Sequence, residues 1–212
     1  MKLREQTPSE EIVNAILHGI GVGLSIAALV ILVIFANIYG DTWHLVSFSI
    51  YGATLIIMYL SSTLYHSFTI GKWKNILHVL DHSSIFLLIA GTYTPITLTA
   101  MRGPWGWSIF GVIWGIALLG IISKIFWMDK FKFLSVALYF VMGWLIVIAI
   151  RPLIDSLNTI SLVFLVAGGL SYTIGIVFYI WRKLKYSHGI WHLFVLAGSI
   201  CHFFTVFYLL PE

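Results

Sequence analysis

The stretch Ile20-Gly-Val-Gly-Leu-Ser-Ile-Ala-Ala-Leu-Val-Ile-Leu-Val-Ile-Phe35 carries no charge, and Ser25 is its one side chain able to hydrogen bond. A bilayer hydrocarbon core ~30 Å thick takes about 20 mostly apolar residues as a helix, and this stretch sits inside an apolar run covering 12–38. Six more runs follow at 44–68, 76–99, 105–126, 131–150, 157–181 and 188–210. The links are as short as Tyr39-Gly-Asp-Thr-Trp43 and Met101-Arg-Gly-Pro104, which leaves no room for a soluble domain. The expectation is an all-α integral membrane protein in which residues 1–212 form a single seven-helix transmembrane bundle. A transmembrane β-barrel needs ~10-residue segments of alternating polarity, whereas 20–35 and 133–150 are almost continuously apolar.

Composition agrees. The 212 residues are 60% hydrophobic and 9% charged, against ~25% charged in an ordinary soluble domain. A net charge of +4 built from so few ionisable groups excludes a nucleic-acid-binding surface. Cys201 is the single cysteine, so no internal disulfide can form. Thr7-Pro8-Ser9-Glu10 has the spacing of a capping box with Pro at the first helical position. Together with the length of the first run and the acids Glu5, Glu10 and Glu11 before it, this predicts a retained helix rather than a cleaved signal peptide.

Positive residues are retained on the cytoplasmic side of a membrane. Lys2, Arg4, Lys72, Lys74, Lys124, Lys130, Lys132, Arg182, Lys183 and Lys185 fall on one side of the seven spans, and Arg102 and Arg151 on the other. This predicts a cytoplasmic N-terminus and an outer C-terminus, in the plasma membrane.

Ionisable residues inside spans are costly and mark functional sites by default. Counting depth at ~1.5 Å per residue puts Glu11, Asn14 and His18 (span one), His66 (end of span two), Asp81 and His82 (start of span three) and His188 and His192 (start of span seven) in one layer near the cytoplasmic face. Residues four apart share a helix face, so His188 and His192 form a two-point metal chelate. A third imidazole would complete a zinc site with an open position for water, and His66 is the candidate. Ser62 shares its face. Asp81 would accept a hydrogen bond from metal-bound water. His78 and His82 form a rival pair around Asp81. Glu11, Asn14 and His18 either contact headgroups or support the site. His44 is expected at the outer interface, and His202, fourteen residues beyond His188, as a hydrogen-bonded bundle residue. Gly19 and Gly23 make a small-xxx-small pair for close helix approach, and Pro95 is expected to kink span three. Residues 188–210 lack the lysine that a retinal protein needs.

Glu11-x2-Asn14-x3-His18, Ser62-x3-His66, Asp81-His82 followed by Ala90-Gly-Thr-Tyr-Thr-Pro95, and Ser187-His188-x3-His192 together resemble the hemolysin III proteins. These are the microbial branch of the progestin and adipoQ receptor family, itself similar to alkaline ceramidases. The resemblance runs over about 9–210. It implies Zn2+ held by His66, His188 and His192, an aspartate matching Asp81 that contacts the zinc-bound water, and a serine matching Ser62; His78 lies outside the motif.

Three neutral imidazoles leave zinc its full charge, which lowers the pKa of bound water to ~7. Asp81 would then serve as general base, and Ser62 would hydrogen-bond the developing oxyanion. A site below the membrane surface takes its substrate from lipid, so the expected reaction is hydrolysis of a lipid amide or ester, ceramide-like by the resemblance. Alternatives are a receptor or sensor with structural zinc and a pore-forming hemolysin-type protein. Polar groups concentrated at one end argue against a channel, and ligands away from midplane argue against a metal transporter. No soluble partner is evident.

Overall fold

In the computed structural model, residues 6–68, 71–128, 130, 132–181 and 183–211 are described. Lys2, Arg4 and Arg182, counted above toward the basic side, lie outside them, as does the side chain of Lys132. The helices are α1 (Pro8–Tyr39), α2 (Thr42–Ser67), α3 (Lys72–Leu98), α4 (Pro104–Trp127), α5 (Lys132–Trp144), α6 (Ile150–Ser156), α7 (Thr159–Ile180) and α8 (Ser187–Phe207). A 3-10 turn over Leu145–Ala149 joins α5 to α6. Counting Leu134–Ser156 as one span, seven are long and apolar enough to cross a membrane among the described residues.

The ends are set by local chemistry. The Thr7 hydroxyl accepts from the Glu10 amide, and the Glu10 carboxylate accepts from the Thr7 amide, which closes the expected capping box at α1. Asp41 caps α2 through the Trp43 and His44 amides at 2.9 and 3.0 Å, and the His44 bond comes first among the causes that hold its carboxyl below the usual range. His44 completes that cap, with Nδ1 2.7 Å from Asp41 Oδ1. Asn158 caps α7 through the Ser161 amide. Pro95 lies in the last turn of α3, which ends at Leu98.

The fifth span departs from the uninterrupted helix expected over 131–150. The Tyr93 hydroxyl donates to Met142 O at 2.7 Å and accepts from Ile146 N at 3.0 Å. It thus sits between the two groups that would bond each other in an α-helix. Pro152, in the first turn of α6, has no N–H for the Ile148 carbonyl. Both effects loosen the ladder over Leu145–Ala149.

α1 packs on α2, α2 on α3, α3 on α4 and α7 on α8, and α8 closes against α1. Two apolar clusters fill the interior, one around Phe86, Tyr93, Ile113 and Met142, the other around Leu32, Phe48, Tyr51 and Tyr59. Leu119, Phe126, Ile148 and many other apolar side chains face outward, as a lipid-facing surface requires. The close approach expected at Gly19 and Gly23 occurs elsewhere. A Cβ on Gly23 would meet nothing within 4 Å, and one on Gly19 only ordinary contact. Gly21 is the position where a Cβ would strike the Tyr59 ring. The buried stripe of α1 is Glu10, Asn14, His18, Gly21 and Ser25, so the face turned to the bundle is rotated away from the small-residue pair.

Candidate metal centre

The end of α2 and the starts of α1, α3 and α8 meet at one end of the bundle. There, ring nitrogens of His66, His188 and His192 lie within 4.8 Å of one another. Among the described residues, these three are the one group of His, Cys, Asp and Glu side chains that converges in this way. His188 and His192 stand one turn apart on α8 with ring centroids 4.5 Å apart, and His66 comes from α2 with its centroid 5.1 Å from each.

The surroundings orient these rings. His66 Nδ1 lies 2.5 Å from Glu11 Oε2. A carboxylate accepts, so Nδ1 carries the proton and Nε2 presents its lone pair, the tautomer a metal needs. Lys74 Nζ is 3.3 Å from the other Glu11 oxygen and donates to the Tyr65 carbonyl at 2.7 Å, which anchors the carboxylate in turn. His18 stacks on His192, with centroids 3.5 Å apart and planes 16° from parallel. The Asn14 side-chain amide donates to Gln6 Oε1 at 2.5 Å.

α8 is held in place by Glu10. Its Oε1 accepts from the Tyr186 amide at 2.8 Å, and Tyr186 is the single non-glycine with positive φ (59°) among the described residues. This left-handed residue immediately precedes Ser187-His188 and turns the chain sharply into the helix. Strained backbone of this kind persists where its surroundings enforce it. Gly189 lets α8 approach α1, since a Cβ there would already lie 3.2 Å from Asn14 Oδ1.

The residues present fit a metal ion. His66 Nε2 and both ring nitrogens of His192 are buried with no hydrogen-bond partner among the described residues. Buried polar atoms are ordinarily satisfied, and a cation held by His66 Nε2 and one ring nitrogen of His192 satisfies one atom of each ring. Replacing Glu11 by Gln should weaken metal binding by ~10–100-fold, the usual effect of losing the partner that orients a ligating histidine. Titration against a chromophoric chelator measures this, and unchanged affinity would remove Glu11 from the site.

Asp81 and Ser62 lie beside the cluster. Asp81 is buried on α3, within electrostatic reach of His66 and Lys74, and Ser62 is its neighbour on α2. The Ser62 hydroxyl is buried with no partner at hydrogen-bonding geometry among the described residues. His78 and His82 pack edge to face at 4.5 Å, and His82 Nδ1 is 3.1 Å from the His78 carbonyl and 3.4 Å from Asp81 Oδ2. They gather no third converging donor among the described residues. His202 Nε2 is 3.3 Å from the Leu165 carbonyl, far along α8 from the cluster.

Two cavities meet here. One, of about 240 Å³, runs from Asp81 and His18 between α3, α5, α7 and α8 to Leu153 and His202, and is lined by apolar side chains such as Ile89, Ile96 and Leu165. Phe140, Val147, Ile150 and Val166 line it and are also exposed on the outer surface, so it borders the bilayer. The second, of about 170 Å³, is polar and is bounded by His188, His78, His82 and Lys124.

Glu10 and Lys124 escaped the sequence reading as site residues. Glu10 was part of a cap, a role it also has. Lys124 counted only as a basic residue near the membrane surface, yet it is 2% exposed.

The sequence profile described as Haemolysin-III related matches residues 6–203. The chain belongs to the haemolysin III family. A Hemolysin-3 homolog of Bacillus subtilis (strain 168) is 51% identical over 202 residues, 95% of each chain. Hemolysin-3 of Bacillus cereus is 49% identical over 207 residues, covering 97% of this chain and 94% of the relative. The human Monocyte to macrophage differentiation factor is 29% identical over 175 residues, 78% of this chain and 71% of its own. No solved structure matches the chain significantly. This haemolysin III family member is thus a multi-pass membrane protein with a three-histidine cluster able to bind a metal ion.

Proposed function

We propose that this haemolysin III family member is a zinc-dependent hydrolase of a lipid amide or ester, ceramidase-like, lying in the plasma membrane with its N-terminus in the cytoplasm. The observation that carries this reading is an apolar cavity bordering the bilayer and lined by Asp81 and by His18, which stacks on His192 of the metal-capable cluster. Three imidazoles with one open position are a zinc donor set of catalytic type. When bound there, zinc supplies Lewis acidity and makes water acidic enough to attack near neutral pH.

The chain's own residues do the rest. His66, His188 and His192 hold the ion, and Glu11 fixes the His66 tautomer. The apolar cavity takes the acyl chain sideways from the membrane and sets its carbonyl beside Asp81, which lines the same cavity. Asp81 takes the proton of the attacking water and returns it to the amine nitrogen or alcohol oxygen as the bond from the carbonyl carbon to that atom breaks. Ser62, whose hydroxyl lies beside Asp81, donates to the carbonyl oxygen as negative charge develops there. A receptor with purely structural zinc uses neither the cavity nor Asp81, and the apolar lining suits hydrocarbon better than an aqueous pore.

Metal removal tests the reading. Purified protein treated with a chelator should lose release of fatty acid from a palmitoyl ceramide or a palmitoyl ester by at least about tenfold, and stoichiometric zinc should restore it. Turnover indifferent to metal removal, or absent on every lipid amide and ester with zinc fully loaded, overturns it.

A further inference from the structure

Lys124 sits in the last turn of α4, where a lysine normally extends its ammonium toward the headgroups. Here it is buried and lines the polar cavity with His78 and His82, and its charge acts on His82. A charge turned into a bundle marks a pathway or a ligand site by default.

The rest of the lining suits an anion. Tyr65, Tyr179 and Ser135 line the cavity, as do Ser187, His188 and Gly189 in the first turn of α8, the end of a helix that favours negative charge. Among the described residues Glu10 is the one carboxylate in the lining, and its oxygens accept from the Tyr186 amide at 2.8 Å and from Thr7 at 2.9 and 3.0 Å. The room, about 170 Å³, is far above the ~15 Å³ that admits one water. Val136, Tyr139 and Tyr179 line both this cavity and the apolar one, so the two abut. His188 lines the polar cavity, while Asp81 and His18, the latter stacked on His192, line the apolar one, which sets the metal-capable cluster beside both.

We propose that the polar cavity around Lys124 binds the anionic headgroup of a lipid whose acyl chain occupies the apolar cavity. An amphiphile so placed lies across the junction with its headgroup at Lys124 and its linkage at the histidines. As a statement about the substrate class this rests on the hydrolase reading, whereas the binding preference itself does not.

The test is equilibrium binding of dioleoyl phosphatidate against dioleoylglycerol, which share their chains and differ in the phosphate. Wild-type protein and the turnover-deficient Asp81→Asn should both prefer phosphatidate by about tenfold or more in Kd, and Lys124→Met should bring the two within about twofold. Lys124→Arg should keep the preference, and Lys130→Met, at the same end of α4 but outside the cavity lining, should leave it unchanged. Inorganic phosphate should compete far more weakly than phosphatidate, and equal competition assigns the cavity to a free anion instead. No preference in wild type, or one that survives Lys124→Met, overturns the proposal. If Lys124→Met does not fold, a photoactivatable headgroup on phosphatidate decides with wild-type protein: adducts should map to the cavity lining, and adducts confined to other surfaces overturn the idea. A protein that cleaves no lipid yet shows the preference refutes the hydrolase reading alone.

Discussion

Changing His192 to alanine is expected to drop bound zinc from about one ion per chain to below about a tenth, because a three-histidine site loses a third of its protein ligands. His192 is fully buried, stacked on His18 at 3.5 Å, and one turn from His188. Alanine is a good helix former, so α8 should persist, and circular dichroism checks that the helical content does. His66→Ala and His188→Ala should act alike, while His82→Ala should leave zinc in place. Elemental analysis of the purified proteins reads all four. Zinc retained in the three cluster variants and lost in His82→Ala would transfer the site to the His78–His82 pair.

Seven apolar runs are legible because each is continuous and bounded by charge, Pro or Gly, and the observed helices end within a few residues of them at most ends. The convergence of His66, His188 and His192 is legible for a related reason. An i, i+4 spacing fixes direction within α8, and counting residues from a span's end fixes depth. Rotation of one helix against another leaves no such mark. Whether Glu11 contacts headgroups or supports the site therefore depends on how α1 packs on α2, which sets its carboxylate on His66. The same gap misplaced the close approach of α1, which is at Gly21 against Tyr59. Lys124 shows a different limit, since a lysine near a membrane surface reads as solvated whichever way its long side chain turns. The 3-10 turn of the fifth span depends on a hydroxyl from α3, fifty residues earlier in the chain and invisible in the local pattern.

Replacing Asp81 by asparagine separates chemistry from metal holding. Asparagine keeps the shape of the side chain but cannot accept a proton, and loss of a positioned general base typically costs ~10²–10⁴-fold in turnover. Zinc content should stay at about one ion per chain, because the three ring nitrogens need no fourth protein donor. Stability should hold or rise. Asp81 is 7% exposed, and a buried carboxylate is a net cost to folding when no cation compensates it, so with the zinc stripped from both proteins the neutral amide should unfold at the same temperature or higher. That combination, lost turnover with zinc and thermal stability intact, cannot come from a damaged fold. Turnover within about twofold of wild type would exclude Asp81 as the base. Loss of zinc together with turnover would instead move Asp81 into the set of groups that hold the ion, and Ser62→Ala would then be expected to disturb metal affinity as well, since the two residues are neighbours across α2 and α3.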